Sequence, residues 1–370
     1  MTQIRIRPTW VFYDQRGDEV EPRLFELLRA IREHGRLTDA ARAVGLSYRH
    51  AWHVVGGWTE FFGQPLVTLE KGRGARLTAL GEKFLWAEER IRARFGPQME
   101  NFASELDHEL RSAVAASRSV LRVHASHGYA VSRLRELAAG SDVLELDVQF
   151  KGSVESLAAL ARGHCDVAGF HVPIGALTSG LATRYLRHLR PDLHRIILLV
   201  ERQQGLMVAP GNPKKIRAVA DLARADVRFV NRQQGSGTRA LLEQLLSEAG
   251  VDAAAISDFE DGEFTHAAVA AHVAAGIADA GFGVEPAARQ FRLDFLPVVR
   301  ERYMLATRAD AMAAPPMREL LSLVRSRKFL DLVADLPGYF AAGAGRILSF
   351  ADVFGDAAEV PSPRPRARKR

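Results

Sequence analysis

Apolar residues recur at helical spacing in the first quarter of the chain and give way to short runs broken by turn residues after about residue 120. In "PRLFELLRAIREHG" one stripe is formed by Leu24, Leu27, Leu28 and Ile31, and Gly35 marks the stop. "LTDAARAVGLSYRHAWHVVGGW" repeats the spacing on both sides of Gly45. Ala40, Ala41 and Val44 face inward before that glycine, and Ala51 and Val54 after it. Thr38 is the expected N-cap of the first of these helices and Ser47 of the second. Helix, glycine turn, helix is the helix-turn-helix pattern, whose second helix enters a major groove. Tyr48, Arg49, His50 and His53 are then the outward residues at the base edges. "PLVTLEKGRGARLTALG" continues as strand, basic tip and strand, a wing that lays Lys71, Arg73 and Arg76 along a phosphate backbone. From Thr78 a long amphipathic run has the length of a dimerising helix.

The later texture is alternating strand and helix: "SVLRVHASHG" then "YAVSRLRELAA", "LELDVQF" then "VESLAALARG", and "DVRFVN" then the helix opened by "QQGSGTR". That alternation predicts an α/β fold with largely parallel sheets, which bind ligands outside the carboxyl ends of their strands. The residues expected there are Ser126 and His127, Gly152 and Ser153, Ser236, Gly237, Thr238 and Arg239, and Thr265 at the start of "THAAVAAHVAAG". Free N–H groups and hydroxyls at helix starts suit an anion. Each Ser or Thr taken singly is as well explained as an ordinary helix cap. "QQGSGTR" lacks the Gly-Lys-Ser/Thr ending of a nucleotide loop, which argues against nucleoside triphosphate hydrolysis.

Composition changes this picture little. At 370 residues two or three domains are expected, and 47% hydrophobic with 25% charged content is ordinary for globular chains. The net charge of +6 falls to +1 without "RPRARKR", the last seven residues, so the basic character lies in a tail expected to be disordered. A single cysteine, Cys165, excludes an intramolecular disulfide and a cysteine zinc site. No histidine group has a carboxylate or Cys completing a metal set, so neither metal nor other cofactor is expected. Trp52, Trp58 and Trp86 are assigned to core or dimer seam. With no signal segment and no spanning run, the chain is read as cytoplasmic and without a membrane partner.

Two resemblances sharpen the reading. "GRLTDAARAVGLSYRHAWHVV", "QPLV" and "GRGARLTALG" resemble the N-terminal domain of the molybdate-responsive regulators (ModE) and, more distantly, of LysR-type regulators. This implies a homodimer, or a homotetramer of paired dimers, on a palindromic double-stranded DNA operator. Where that family usually continues into small ligand-binding barrels, this chain does not. "FKGSVESLAALARGHCDVAGFHVP", "NRQQGSGTR" and "THAAVAAHVAAGIADAGFG" resemble the type II periplasmic binding protein fold, in its molybdate- and tungstate-binding branch. That resemblance implies two lobes, 120–203 with 300–350 and 204–299, closing on a ligand, and adds Tyr303 to the cleft.

The organisation expected is a winged helix-turn-helix over 1–80, a dimerisation helix over 81–118, a two-lobed ligand domain over 119–352 and a basic tail over 353–370. The function expected is a transcription regulator, not an enzyme, sensing molybdate or tungstate. The alternatives are a regulator of a molybdenum-enzyme operon sensing a small carboxylate such as formate, and an oxyanion-binding storage protein.

Overall fold

The computed structural model describes residues 4–6, 11–13, 17, 23–70, 74–113, 119–141, 143–175, 177–260 and 262–355. The chain forms two compact units, Arg7–Gly96 and Pro97–Arg370 with Met1–Ile6.

The smaller unit begins with α1 (Leu24–His34), α2 (Leu37–Ala43) and α3 (Tyr48–Phe62), followed by β1 (Val67–Glu70) and β2 (Gly74–Leu77). Gly35 ends α1 in the left-handed conformation at φ 65°, and Gly45 turns between α2 and α3 at φ 71°. Ser47 caps α3 by accepting from the His50 N–H at 3.2 Å. Thr38 does not cap α2: the cap position is Arg36, and Thr38 lies exposed in the first turn because the helix begins one residue earlier, on buried Leu37. The three helices bury Leu27, Leu28, Ile31, Ala40, Ala51, Val55 and Trp58 together with Leu66 and Ala75. Burial of the Leu, Ile and Val side chains among these contributes roughly 1.5–3 kcal/mol each. The wing strands pair antiparallel, Val67 opposite Leu77 through Glu70 opposite Gly74. Gly74 has φ 98°, and a methyl group there would lie 2.2 Å from the Gly35 carbonyl oxygen, so only glycine lets β2 reach the end of α1.

One helix, α4 (Ala79–Ala113), runs through the boundary between the units. Thr78 caps it, accepting from the Gly81 N–H at 3.1 Å. Its first part is tied to α1 by Arg29–Glu88 (2.7 Å) and Arg32–Glu89 (2.5 Å), and the Arg32 guanidinium lies 5.2 Å from the centre of the Trp86 ring. Farther along, Phe95, Phe102, Leu106 and Leu110 are exposed apolar residues.

The larger unit continues with β3 (Ser119–Ala125), α5 (Tyr129–Ala138), β4 (Leu144–Phe150), α6 (Ser153–Ala161), β5 (Val167–Pro173), α7 (Thr178–Leu186) and β6 (His194–Val208). It proceeds through β7 (Phe229–Arg232), α8 (Gly237–Glu248), β8 (Gly262–Glu263), α9 (His266–Ala274), β9 (Ala280–Val284), α10 (Glu285–Gln290) and β10 (Asp294–Arg308). It closes with α11 (Pro315–Arg325), α12 (Arg327–Ala334), β11 (Tyr339–Phe340), β12 (Ile347–Leu348) and α13 (Phe350–Phe354).

Among the described residues the strand order is β4-β3-β5-β10-β6-β9-β7-β8, with β11 and β12 beside β6. The sheet is mixed rather than largely parallel: β3 pairs parallel with β4 and β5, and β7 with β8 and β9, whereas β6 and β10 run antiparallel to each other and to their neighbours. The reason lies in β6 and β10, each 15 residues long, which pass between two cores. Ile196, Leu198, Met304 and Ala306 join Phe170, Tyr185 and Leu348 in one core. Leu206, Val208 and Val299 join Phe229, Leu242 and Phe282 in the other. Val353 and Phe354, assigned from sequence to the tail, instead pack into the first core, because Ser349 and Asp352 form a capping box that starts a short helix. The rest of the basic tail, 356–370, lies outside the described residues.

Candidate ligand cleft and DNA-reading face

On α3 the exposed residues are Tyr48, Arg49, His50, Trp52, His53, Gly56, Gly57 and Glu60, and the buried ones are Ala51, Val54, Val55 and Trp58. The expected reading residues therefore share the outward side of one helix, behind the Ser47 cap. Trp52 belongs with them and not with the core: 51, 54, 55 and 58 complete the buried stripe, and Trp52 falls off it with 56% of its surface exposed. Trp58 is buried and Trp86 is half-buried. Arg76 is exposed on β2, while Lys71 and Arg73 lie outside the described residues.

The cleft forms where the apolar runs of β6 and β10 are interrupted. "ERQQ" at 201–204 lies across from "RERY" at 300–303, with Arg202 opposite Glu301 and Tyr303 opposite Val200. Arg202 and Glu301 are both 1% exposed, and Arg202 Nε donates to Glu301 Oε1 at 2.6 Å. Gln204 Nε2 donates to the same oxygen at 2.8 Å and to Thr238 Oγ1 at 3.3 Å. This arrangement fixes the orientation of the Gln204 amide. Its Oε1 is buried without a hydrogen-bond partner among the described residues.

His171 in β5 gathers much of the first lobe's contribution. Its Nδ1 lies 3.2 Å from Ser153 Oγ and 3.4 Å from Ser126 Oγ, and its ring packs edge-on against Tyr303 with centroids 4.0 Å apart. Tyr303 Oη donates to the Ser126 carbonyl at 3.0 Å. His127 is half-buried, its ring 4.9 Å from that of Phe150. From the second lobe α8 arrives directly above: a methyl group at Gly237 would lie 3.4 Å from Ser153 Oγ and 3.7 Å from His171 Nδ1. A methyl group at Gly152 would lie 2.8 Å from the Gly235 carbonyl oxygen, so the two glycine turns touch. Tyr129 Oη to Gln290 Oε1 (3.0 Å) and Gln244 Nε2 to the Leu177 carbonyl (2.9 Å) also join the lobes, which are closed.

Ser236 and Thr265 are buried N-caps, accepting from the Arg239 N–H at 3.1 Å and the Ala268 N–H at 2.9 Å. Ser126, Ser153 and Tyr303 thus meet at His171, the facing turns bring Gly152 and Gly237 beside them, Thr238 is joined through Gln204, and Ser236 and Thr265 are engaged as caps. Arg239 lines a pocket with Ser153, Ser236 and Gly237, but its guanidinium is engaged elsewhere. Its guanidinium pairs with Glu243 at 3.0 Å and Glu260 at 2.8 Å and lies over the Phe259 ring, because the cap geometry at Ser236 sends position 239 to the outer side of α8.

A buried cation, Arg232, stands at the end of β7; the sequence reading named His266 beside Thr265 but passed over Arg232, Arg202 and His171. Arg232 is 3% exposed. Its Nε donates to the Glu263 carbonyl at 3.2 Å and its Nη2 to the Phe264 carbonyl at 2.9 Å. No carboxylate pairs with it among the described residues. Burial, and then the nearby Arg202 charge, lower its pKa to about 9. Burial followed by Arg202 and Arg232 holds His171 well below the ordinary imidazole value. His266, 2% exposed, is held low by burial and then Arg232, and its Nδ1 has no hydrogen-bond partner among the described residues. His127 is lowered to about 4 by burial and Arg232. The imidazoles are therefore neutral at pH 7, and the cleft holds two guanidinium groups against one carboxylate.

No group of three or more His, Cys, Asp or Glu among the described residues could hold a metal ion. Among them no helix is long and apolar enough to cross a membrane. A helix-turn-helix head joined to a two-lobed binding domain is the domain pairing of ligand-responsive LysR-type transcription regulators, not of enzymes. The chain belongs to the family described as the PBP superfamily domain, whose model matches residues 134–325, and residues 22–82 match the bacterial regulatory helix-turn-helix protein model of the lysR family.

Among curated proteins it is similar to the uncharacterized protein YvgK of Bacillus subtilis (strain 168), 33% identical over 201 residues, 54% of this chain and 64% of YvgK. It is also similar to the molybdenum-pterin-binding protein MopA of Rhodobacter capsulatus, 44% identical over 63 residues, 16% of this chain and 24% of MopA. The chain thus spans under two thirds of either relative. Among solved structures, an H2O2-bound mutant OxyR of Corynebacterium glutamicum is similar with a TM-score of 0.45 and 16% identity, over 84% of this chain and 93% of that one.

Proposed function

We propose that this protein is a cytoplasmic, DNA-binding transcription regulator whose effector is a small oxyanion, molybdate or tungstate in the first place. The observation that carries the reading is Arg232, a buried guanidinium with no carboxylate partner among the described residues, between β7 and the start of α8 and bonded to the 263 and 264 carbonyls just ahead of α9. Buried charges persist when paired. An oxyanion here would take charge-assisted hydrogen bonds from Arg232 and from N–H groups at the helix starts, each contributing roughly 1.5–3 kcal/mol. The name of the relative MopA supports molybdenum chemistry over other oxyanions. The uncompensated charge of one unit also suits a monoanion such as formate, which is the second reading.

The head would read a palindromic operator through Tyr48, Arg49, His50, Trp52 and His53. The exposed apolar residues of α4 fit a homodimer seam. Effector closure would alter operator affinity by about 5- to 150-fold, the usual span of allosteric coupling. The test is thermal unfolding of the full chain in millimolar molybdate, tungstate, sulfate, phosphate and formate. A ligand at 100 times its Kd stabilises by about 2.7 kcal/mol. A shift with molybdate and tungstate but not sulfate establishes the first reading. A shift with formate alone establishes the second, and no shift with any of them rejects both.

A further inference from the structure

Where β6 and β10 cross, side chains two apart along each strand share a face. Arg202 lies opposite Glu301 and Gln204 opposite Val299, which brings the Gln204 amide diagonally onto the Glu301 carboxylate. Oε1 of Glu301 accepts from Arg202 Nε at 2.6 Å and from Gln204 Nε2 at 2.8 Å. A carboxylate paired with an arginine only accepts, so the NH2 end of Gln204 must face it. Turning the amide over would set one oxygen against another. The amide keeps this orientation although its own Oε1, on a fully buried side chain, has no partner among the described residues. The polarity passes one step further. Gln204 Nε2 also lies 3.3 Å from Thr238 Oγ1, and an amide NH2 only donates, so the hydroxyl accepts there. Its proton is left for another acceptor, and none is bonded to Thr238 Oγ1 among the described residues. Thr238 is 5% exposed and stands in the first turn of α8, where backbone N–H groups have no intrahelical acceptor. The residue before it, Gly237, faces Ser153 and His171 of the first lobe.

We propose that Gln204 is a positioning residue of the cleft: pinned by Glu301, it compels the Thr238 hydroxyl to donate, and the acceptor is the anionic effector. The inference rests on the effector reading above and adds how one of the donors gets its direction. An unconstrained hydroxyl turns to suit either a donor or an acceptor. Here a turn toward Gln204 would bring proton against proton, so the hydroxyl is directed before the anion arrives. A donor preset in this way loses little freedom when the ligand binds. The series Glu301, Gln204, Thr238 thus makes the start of α8 a place for groups that accept. A ligand presenting an N–H or O–H at that point would leave two protons facing each other.

The experiment compares wild-type full-length protein with Gln204→Leu, Thr238→Val and the double variant, by thermal unfolding in anion-depleted buffer and by calorimetric titration with sodium molybdate and sodium formate. If Gln204→Leu does not fold, Gln204→Met, which keeps the length of the side chain, takes its place. Thr238→Val should lose roughly 10- to 150-fold in affinity for whichever anion binds the wild type, the span of a hydrogen bond to a charged group. Gln204→Leu leaves the hydroxyl in place but undirected, and should lose less, roughly 2- to 10-fold. Because Gln204 acts through Thr238, the double variant should bind no more weakly than Thr238→Val alone, whereas independent losses multiply. Losses that multiply overturn the positioning role, and unchanged affinity in either single variant overturns the proposal. Without anion, the fall in melting midpoint of the double variant should be smaller than the sum of the two single falls. Falls that simply add show that Gln204 and Thr238 do not act on each other, and overturn the proposal with no ligand involved. If the wild type binds neither anion, the donor role fails with the effector reading, and the unfolding comparison still decides whether Gln204 holds Thr238.

Discussion

Removing the Glu301 carboxylate offers a direct measure of how the cleft is held. Arg202 and Glu301 are each 1% exposed, and the carboxylate also accepts from Gln204 Nε2. In Glu301→Ala the Arg202 guanidinium stays buried with only the Tyr339 hydroxyl at 3.5 Å and the face of Tyr303 at 5.5 Å. Leaving one member of a buried ion pair uncompensated costs about 3–5 kcal/mol. For a unit of this size each kcal/mol moves the thermal midpoint by roughly 2–4 °C, so scanning calorimetry should show the larger unit melting about 6–20 °C lower. The double variant Arg202→Met with Glu301→Gln removes both charges, and the amide oxygen introduced at position 301 can still accept from Gln204. It should recover most of the loss, since replacing a whole buried pair is often close to neutral. The reasoning is refuted if Glu301→Ala melts within about 2 °C of the wild type, or if the double variant is as damaged as the single one.

Three further outcomes are expected. His171 and His266 have folded-state pKa values below the 6.5 of a free imidazole, so the stability they contribute is present above pH 6.5 and is lost as pH falls below it. Each costs up to about 1.4 kcal/mol per pH unit, and melting curves from pH 8 to 5 that stay level would contradict the burial of neutral imidazoles. Gly74→Ala should destabilise the smaller unit by more than about 1 kcal/mol, given φ 98° and the 2.2 Å approach to the Gly35 carbonyl, and calorimetry of that unit decides it. Arg49→Ala and Arg76→Ala should weaken operator retention in mobility-shift assays and leave intact whatever thermal shift the wild type shows with the tested anions. The paired Ser236→Ala and Thr238→Ala substitutions should do the reverse, and equal damage to both activities by both pairs would remove the division of labour.

Features set by neighbouring residues were legible in the sequence. Gly35, Gly45 and Ser47 work within one helical turn, and their residue types announce what they do. Trp52 could have been placed outward as well, because Ala51, Val54, Val55 and Trp58 already fill the buried stripe. The cap at Thr38 failed since the burial of Leu37 draws the helix start back to Arg36, a tertiary preference that outweighs cap chemistry. Arg202 was illegible for a different reason. Its partner is 99 residues away, and only the antiparallel register of β6 and β10 shows that "ERQQ" and "RERY" form one polar crossing. Arg239 and Arg232 flank the same glycine turn, and the sequence pointed only to Arg239, at the helix start. The choice between them rests on Glu243 and Glu260, which hold Arg239 on the outer side of its helix.

The boundary that falls inside α4 has an optical consequence. All four tryptophans of the chain, Trp10, Trp52, Trp58 and Trp86, precede residue 97, and the cleft-bearing unit has tyrosines but no indole. Selectively excited fluorescence therefore observes the DNA-reading unit alone. Any change in emission when a ligand enters the cleft is a signal that has crossed into that unit, with occupancy left to calorimetry. Plotting one against the other reads the communication between the two units in the unlabelled protein, and a variant that binds normally yet stays optically silent has lost the transmission and nothing else.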